Sequence, residues 1–340
     1  MDSTEKQLFQ NLNGFFFSKI MFTASELGIF DLLMESGELL TSEAIAKRLG
    51  TSHMGMEKLL EACVGLNLLR MEKKDNKGLY GNTKLANLYL AKSSPKSQYY
   101  YMQLQSEVFY PSLQYLADAV REGKSQIKSI YGPSAKNYFD ALYSSEEGMQ
   151  KYFWALENTW NMIGREVMSA FDLSNFHLIC DLGGSTGTLA KECTSLYPNS
   201  TVIIFDLPEV VERSKKHSVA PAGGKILFQE GDFLKDPVPE ADLYIVARVL
   251  HLWDDEKSVQ LLTKLHKACK PGGGVLVIES ILNDDRSGPL EAHVTSLKIL
   301  LNTDGKIRTP SEHSELFSAS GFKKVEVKKG SLYGIILGRK

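Results

Sequence analysis

Residues His177–Glu192 read HLICDLGGSTGTLAKE. An apolar run ends in an acid, turns through closely spaced glycines, and continues with the spacing of an amphipathic helix. Ile179 and Leu182 mark a buried strand, and Gly183 and Gly184 allow a tight turn and close approach of a ligand to the main chain. The next apolar run, Thr201 to Phe205, ends in Asp206. That is about twenty residues beyond the turn, the offset at which an acid on the following strand grips ribose hydroxyls. Asp181 stands in front of the glycines, which bears on the ligand. A pyrophosphate favours three glycines at dinucleotide spacing with no leading acid, whereas a neutral or cationic adenosyl group tolerates a carboxylate beside it. The stretch is a cradle suited to adenosine or, failing that, a plain strand-to-helix turn, and the remainder of the chain has to decide.

Beyond Phe171 short β-branched or apolar runs alternate with amphipathic helices. Runs near Leu178, Val202, Ile226, Leu243 and Val275 are predicted strands, with helices after Thr186, Pro208 and Asp255. Alternation of this kind gives a parallel sheet with helices on both faces. The last two runs, Lys323 to Val327 and Leu332 to Leu337, are separated by a short turn and must pair antiparallel. The expected fold class is α/β, a doubly wound Rossmann-like sheet finished by an antiparallel C-terminal hairpin.

Ligands of such sheets gather at the carboxyl ends of the strands, so the residues closing each run form the candidate site. The first strand supplies Asp181 and Gly183, the second Asp206, the third Gly231, Asp232 and Phe233, the fourth Arg248 and His251, and the fifth Glu279. Asp232 can accept from an adenine amino group while Phe233 stacks on the ring; the competing role for Asp232 is a turn or helix cap. Arg248 either anchors a carboxylate at the far end of the ligand or supports its loop. His251 is the best general base available, because an imidazole with a reference pKa of about 6.5 can take a proton near neutral pH as a hydroxyl attacks. A phenol, at about 10, forms little oxyanion unaided. Glu279 can bond the imidazole and set its tautomer. The paired acids Asp254–Asp255 and Asp284–Asp285 could suggest a metal, but each precedes a helix or turn and is better explained by capping. No metal site is expected, and Cys63, Cys180, Cys193 and Cys269 lack metal spacing.

The N-terminal part reads differently. From Leu8 to Leu33 apolar residues recur at helical spacing over a broad face that includes Phe15, Phe16 and Phe17. Such a face packs under a second domain or forms a dimer interface, and its width favours the dimer. Thr41 or Ser42 then caps a short helix, Gly50 turns into a second one, and a charged hairpin follows, which is a winged-helix pattern. The would-be recognition helix, Thr51 to Leu66, offers only Lys58 as a strong cation, so DNA reading is disfavoured. KSSPKS at Lys92–Ser97 is a turn, and mainly helical patterns continue to about Phe171, with Tyr143, Trp154 and Trp160 read as core of that helical region.

Composition agrees with a soluble globular protein. The 340 residues imply two domains, 43% are hydrophobic, and a net charge of −2 draws the chain toward neither nucleic acid nor anionic lipid. The start carries Asp2 and Glu5 and no secretory pattern, no run approaches membrane-spanning length, and the scattered cysteines read as reduced core thiols of a cytoplasmic protein.

Three segments, DLGGSTG at Asp181–Gly187, EGDFLKDPVPEADLYIVARVLHLW at Glu230–Trp253 and KPGGGVLVIES at Lys270–Ser280, together resemble the S-adenosylmethionine-dependent O-methyltransferases of small molecules, the group that includes caffeate and flavonoid enzymes. The likeness extends to SKIMFTASELGIFDLL at Ser18–Leu33, LADAVREGK at Leu116–Lys124, FDLPEVV at Phe205–Val211 and the ending LYGIILGRK. The resemblance implies S-adenosyl-L-methionine as cofactor, contacted by Tyr143, Trp160, Asp206, Asp232, Phe233 and Arg248, with His251 as base and a small aromatic, hydroxyindole-like acceptor. It implies a homodimer and a winged-helix part that recruits no DNA. On this reading residues 1–100 form the helical dimerisation domain, 101–170 a helical connection contributing to the site, and 171–340 the catalytic domain. The chain departs from the family near the site. Ser185 replaces a glycine, Leu252 replaces the aspartate after the base, and Lys298 and Asn302 stand where close relatives carry asparagine and glutamine facing the acceptor. The departures motivate an alternative, a divergent paralogue with another acceptor or one that binds ligand without turnover.

Overall fold

The computed structural model describes residues 2–143, 145–217 and 225–340. The chain divides into two units, one of residues 1–111 with 150–159, the other of 112–149 with 160–340. Strands β4 (Leu178–Leu182), β5 (Thr201–Asp206), β6 (Ile226–Glu230), β7 (Ala241–Ala247), β8 (Cys269–Glu279), β9 (Lys324–Lys329) and β10 (Gly334–Arg339) form one sheet in the second unit, in the order β6-β5-β4-β7-β8-β10-β9. The first five are parallel, and β10 pairs antiparallel with both β8 and β9, as the short connection between the last two runs requires. The order reverses between β4 and β5 on one side and β7 on the other, which opens a crevice at the strand ends beside the glycine turn.

Alternation along the strands divides the core between the two faces. Ile179, Ile204, Ile245, Ile278 and Leu337 pack with Trp160, Val167 and Met168 of the helix Glu146–Met168 and with Leu189 and Cys193 of the helix Thr188–Leu196. Cys180, Phe205, Val246, Val277 and Ile336 pack with Leu262 and Leu265 of the helix Asp255–Ala268 and with Phe317 of the helix Pro310–Ala319. Both faces are covered, so these strands read as nearly continuous apolar runs.

In the first unit β1 (Leu40–Thr41), β2 (Leu69–Lys74) and β3 (Lys77–Asn82) form a small antiparallel sheet beside the helices Ser42–Leu49 and His53–Gly65, the first of them capped by Thr41 and closed at Gly50. The periodicity from Leu8 to Leu33 is not one helix. Gly28 takes a left-handed conformation (φ 78°) and splits it into Ser3–Glu26 and Ile29–Ser36. Phe22, Ile29, Phe30, Ile45, Leu60 and Cys63 share one core. Toward its start the long helix leaves Leu8, Phe9, Leu12, Phe15 and Phe16 each more than half exposed. All four cysteines are free and buried. Among the described residues no helix is long and apolar enough to cross a membrane.

Candidate active site

The same alternation aims two acids one way. Asp181 follows Cys180, which belongs to the opposite core, and therefore shares a sheet face with Ile179; Asp206 likewise lies on the face of Ile204. Asp206 accepts the Ser185 N–H through Oδ2 (2.9 Å) and the Leu207 N–H through Oδ1 (2.8 Å). Asp181 is 1% exposed, and among the described residues neither its Oδ2 nor the buried Oγ of Ser185 has a hydrogen-bond partner. Burial pushes Asp181 up to about 7, helped by the charge of Asp206. Burial raises Asp206 to about 6 against the opposing pull of its two backbone hydrogen bonds. Two adjacent buried carboxylates, one of them with an oxygen that has no partner, call for hydrogen-bond donors and positive charge. An adenosyl ligand with ribose hydroxyls and a cationic tail supplies both, whereas a phosphate supplies neither.

The turn between them has little room. A Cβ on Gly184 would lie 2.7 Å from the Asp181 carboxyl, and one on Gly187 (φ 75°) would meet Ile204 at 2.5 Å. Ser185 holds φ 48° despite its side chain, a left-handed conformation that is costly outside glycine. Opposite Gly183 stands Phe233, whose ring would be 3.6 Å from a Cβ at that position and which meets Trp253 edge-on at 6.2 Å between centroids. Gly231 has no space for a side chain because the Phe205 ring fills it. Asp232 accepts the Leu234 N–H at 2.9 Å and pairs with Lys235 at 2.8 Å, which is the capping use of that carboxylate. The cradle is thus Asp181, Gly183, Ser185, Asp206, Gly231 and Phe233.

His251 and Glu279 are brought together directly. His251 lies in the short 3-10 segment Leu250–Leu252 after β7, with Leu252 half-buried beside it, and its Nδ1 is hydrogen-bonded to Glu279 Oε2 at the end of β8. Glu279 Oε1 accepts the N–H groups of Val249 and Leu250, both at 2.8 Å. Burial alone would raise the Glu279 carboxyl, but the His251 imidazole, the charge of His313 and the His251 N–H together hold it below the usual range. Arg248 has φ 58° and donates its N–H to Ile278 O at 2.9 Å. Its charge, together with burial, lowers Lys298 of the helix Leu290–Asn302, and burial is the larger cause; Lys298 falls to about 8. Asn302, also on that helix, is 4% exposed; its Oδ1 accepts the Tyr131 hydroxyl at 2.9 Å and its Nδ2 donates to Lys298 O at 2.8 Å. Trp160 is buried in the sheet core with its ring 5.6 Å from Tyr333. Tyr143 lies in a turn before the helix Glu146–Met168, not within it, its ring 5.7 Å from Phe139.

The paired acids are structural. Asp254 caps the helix Asp255–Ala268 by accepting the Lys257 N–H, Asp255 pairs with Lys306 and Arg308, Asp284 accepts the Ser311 N–H, and Asp285 accepts that of Ser287. Two contributors escaped the sequence reading. Arg308 and Gly305 abut the main chain around His251, and the only local signal near them is the capping box Thr309–Glu312.

A family model described as an O-methyltransferase domain matches residues 113–323, and one described as an O-methyltransferase dimerisation domain matches residues 9–92. The acetylserotonin O-methyltransferase of Gallus gallus is 54% identical, and the match covers 100% of both chains. The enzyme of that name from Homo sapiens is 47% identical, again over 100% of each. The crystal structure of human N-acetylserotonin methyltransferase in complex with SAM matches with a TM-score of 0.96 and 46% identity, covering 100% of this chain and 98% of that one.

Proposed function

The chain belongs to the O-methyltransferase family, and from that premise we propose that it methylates the hydroxyl of a hydroxyindole, N-acetylserotonin or a close analogue, with S-adenosyl-L-methionine as donor. The pairing of His251 with buried Glu279 at the strand ends carries the chemistry; the choice of acceptor follows the relatives that match along the whole chain.

The bound donor supplies a methyl group on positively charged sulfur. Asp206 would accept from the ribose hydroxyls and Asp181 would add negative charge beside the cationic tail, while Phe233 would stack on the adenine and Asp232, which also holds its own turn, would accept from the adenine amino group. Arg248 is suited to a carboxylate, with Tyr143 and Trp160 completing the walls. Glu279 fixes His251 Nδ1 as a donor and so leaves the Nε2 lone pair for the acceptor hydroxyl. His251 would then take the hydroxyl proton as the oxygen attacks the donor methyl carbon, the methyl–sulfur bond breaking to leave a neutral thioether, S-adenosylhomocysteine, and Glu279 would steady the imidazolium that results. Leu252, Lys298 and Asn302 are assigned to the acceptor side.

Transfer of labelled methyl from S-adenosyl-L-methionine to a panel of hydroxyindoles and simple phenols tests this reading. N-acetylserotonin should rank among the best acceptors. Saturable donor binding with no transfer to any member would instead identify a ligand-binding paralogue, the outcome that Ser185, Leu252 and Lys298 would then explain.

The acids give the donor a pH dependence. The form that accepts hydrogen bonds and attracts a cation is the ionised one, and in the free protein it is lost as pH falls through about 7 for Asp181 and about 6 for Asp206. Affinity for the donor should therefore be flat in mild alkali and drop by about tenfold or more between roughly pH 8 and pH 5. Titration calorimetry over that range checks it; constant affinity would remove both acids from the contact.

Of the exposed row, Phe9, Leu12, Phe15 and Phe16 lie on the segment that matches the dimerisation domain and Leu8 directly precedes it, and we assign the row to a homodimer interface. Light scattering should give twice the chain mass, and Phe15→Asp with Phe16→Asp should return it to one. The free, buried thiols support a reducing compartment, in keeping with a cytoplasmic enzyme.

A further inference from the structure

The short turn that carries His251 is gripped by opposite charges. Glu279 takes its amide end, bonding the N–H groups of Val249 and Leu250. Arg308 takes its carbonyl end. Nη1 donates to Leu250 O at 2.9 Å and Nη2 to Trp253 O at 2.8 Å, with Ser258 Oγ at 3.3 Å. Nε meets Asp255 Oδ1 at 2.8 Å. The Arg308 side chain is 0% exposed, and a buried guanidinium is tolerated only when its donors are used in this way. Asp255 and Ser258 belong to the first turn of the helix Asp255–Ala268, so one planar fork fastens the turn to a rigid element. Gly305 presses on the turn from the same segment: a Cβ there would collide with the main chain of His251, Leu252 and Trp253.

We propose that Arg308 and Gly305 are positioning residues for methyl transfer, acting by fixing the main chain that carries His251. The proposal rests on the reading of His251 as the base. Misplacement of a reacting group by about 1 Å can cost on the order of a hundredfold in rate, and lysine, a point donor on a flexible stem, cannot reproduce a fork that spans two carbonyls and a carboxylate.

The test uses the full chain with Arg308→Lys and Gly305→Ala, each alone and combined with His251→Ala. Each single variant should lose roughly tenfold or more in kcat while KM for the acceptor and calorimetric affinity for S-adenosyl-L-methionine stay within about twofold. In the His251→Ala background the same substitutions should lower kcat little further, because residues acting through one group are not additive. Should Arg308→Lys unfold, Gly305→Ala, which removes no hydrogen bond, carries the test. Parent-like kcat in the folded single variants would overturn the proposal, as would an equal loss in the His251→Ala background or a parallel loss of donor affinity. His251→Ala with undiminished kcat would instead overturn the reading of the base.

Discussion

Replacing His251 with alanine is expected to lower turnover by about a hundredfold or more while leaving affinity for S-adenosyl-L-methionine close to that of the parent. The size follows from the chemistry. A phenolic hydroxyl with a pKa of about 10 is almost wholly protonated near neutrality, so without a base the nucleophile is the weak neutral form. The separation of effects follows from the geometry, because His251 is tied to Glu279 and the turn after β7, whereas the acids of the cradle close β4 and β5. Glu279→Gln serves as a graded companion. It keeps the shape but removes the charge that steadies an imidazolium, so its loss should fall between parent and His251→Ala. Single-turnover measurements with calorimetry on each variant decide, and unchanged turnover in His251→Ala would make the histidine a structural residue.

The second large effect concerns Asp206. Alanine there should weaken the donor by more than tenfold through loss of charge-assisted hydrogen bonds. Part of that loss is indirect, because both carboxylate oxygens already hold backbone N–H groups, those of Ser185 in the glycine turn and of Leu207. Leaving a buried donor unpaired costs about 1–3 kcal/mol. Asp206→Asn separates the two parts: the amide oxygen can keep one N–H in place while the charge is gone. Calorimetry should rank the parent above asparagine and asparagine above alanine. Equal affinity in all three would exclude Asp206 from the contact.

The sheet was legible because its signals are local. The parallel strands β4, β5, β7 and β8 are apolar runs covered on both faces, and each closes on or beside a residue whose type is chemical, Asp181, Asp206, Arg248 or Glu279, whereas β6 is an edge strand and largely exposed. The break at Gly28 was not legible, since one left-handed residue leaves the apolar spacing on either side nearly in phase. The turn at Tyr143 escaped for a related reason, lying between helical patterns of similar composition. Asn302 is placed on the acceptor side by the family resemblance alone, and its bond to the Tyr131 hydroxyl is a long-range pairing that spacing cannot reveal. Arg308 was invisible because it recognises backbone carbonyls, which every residue carries and no side-chain pattern encodes. What sequence reads well is thus the strand end; what it misses is a side chain that serves distant main chain.

The four buried cysteines turn the molecule into its own reporter of opening. Burial pushes Cys63 and Cys193 up to about 12 and Cys269 to about 11, and raises Cys180 as well. Near neutral pH almost none is thiolate, the form that attacks an alkylating reagent. Each sulfur therefore reacts only when its surroundings part. Cys63 belongs to the core of the first unit, while Cys180, Cys193 and Cys269 lie on the two faces of the large sheet. Isotope-coded alkylation read by peptide mass would time the excursions of each unit separately, without a probe being introduced, and adding the methyl donor would show which of those excursions the ligand suppresses.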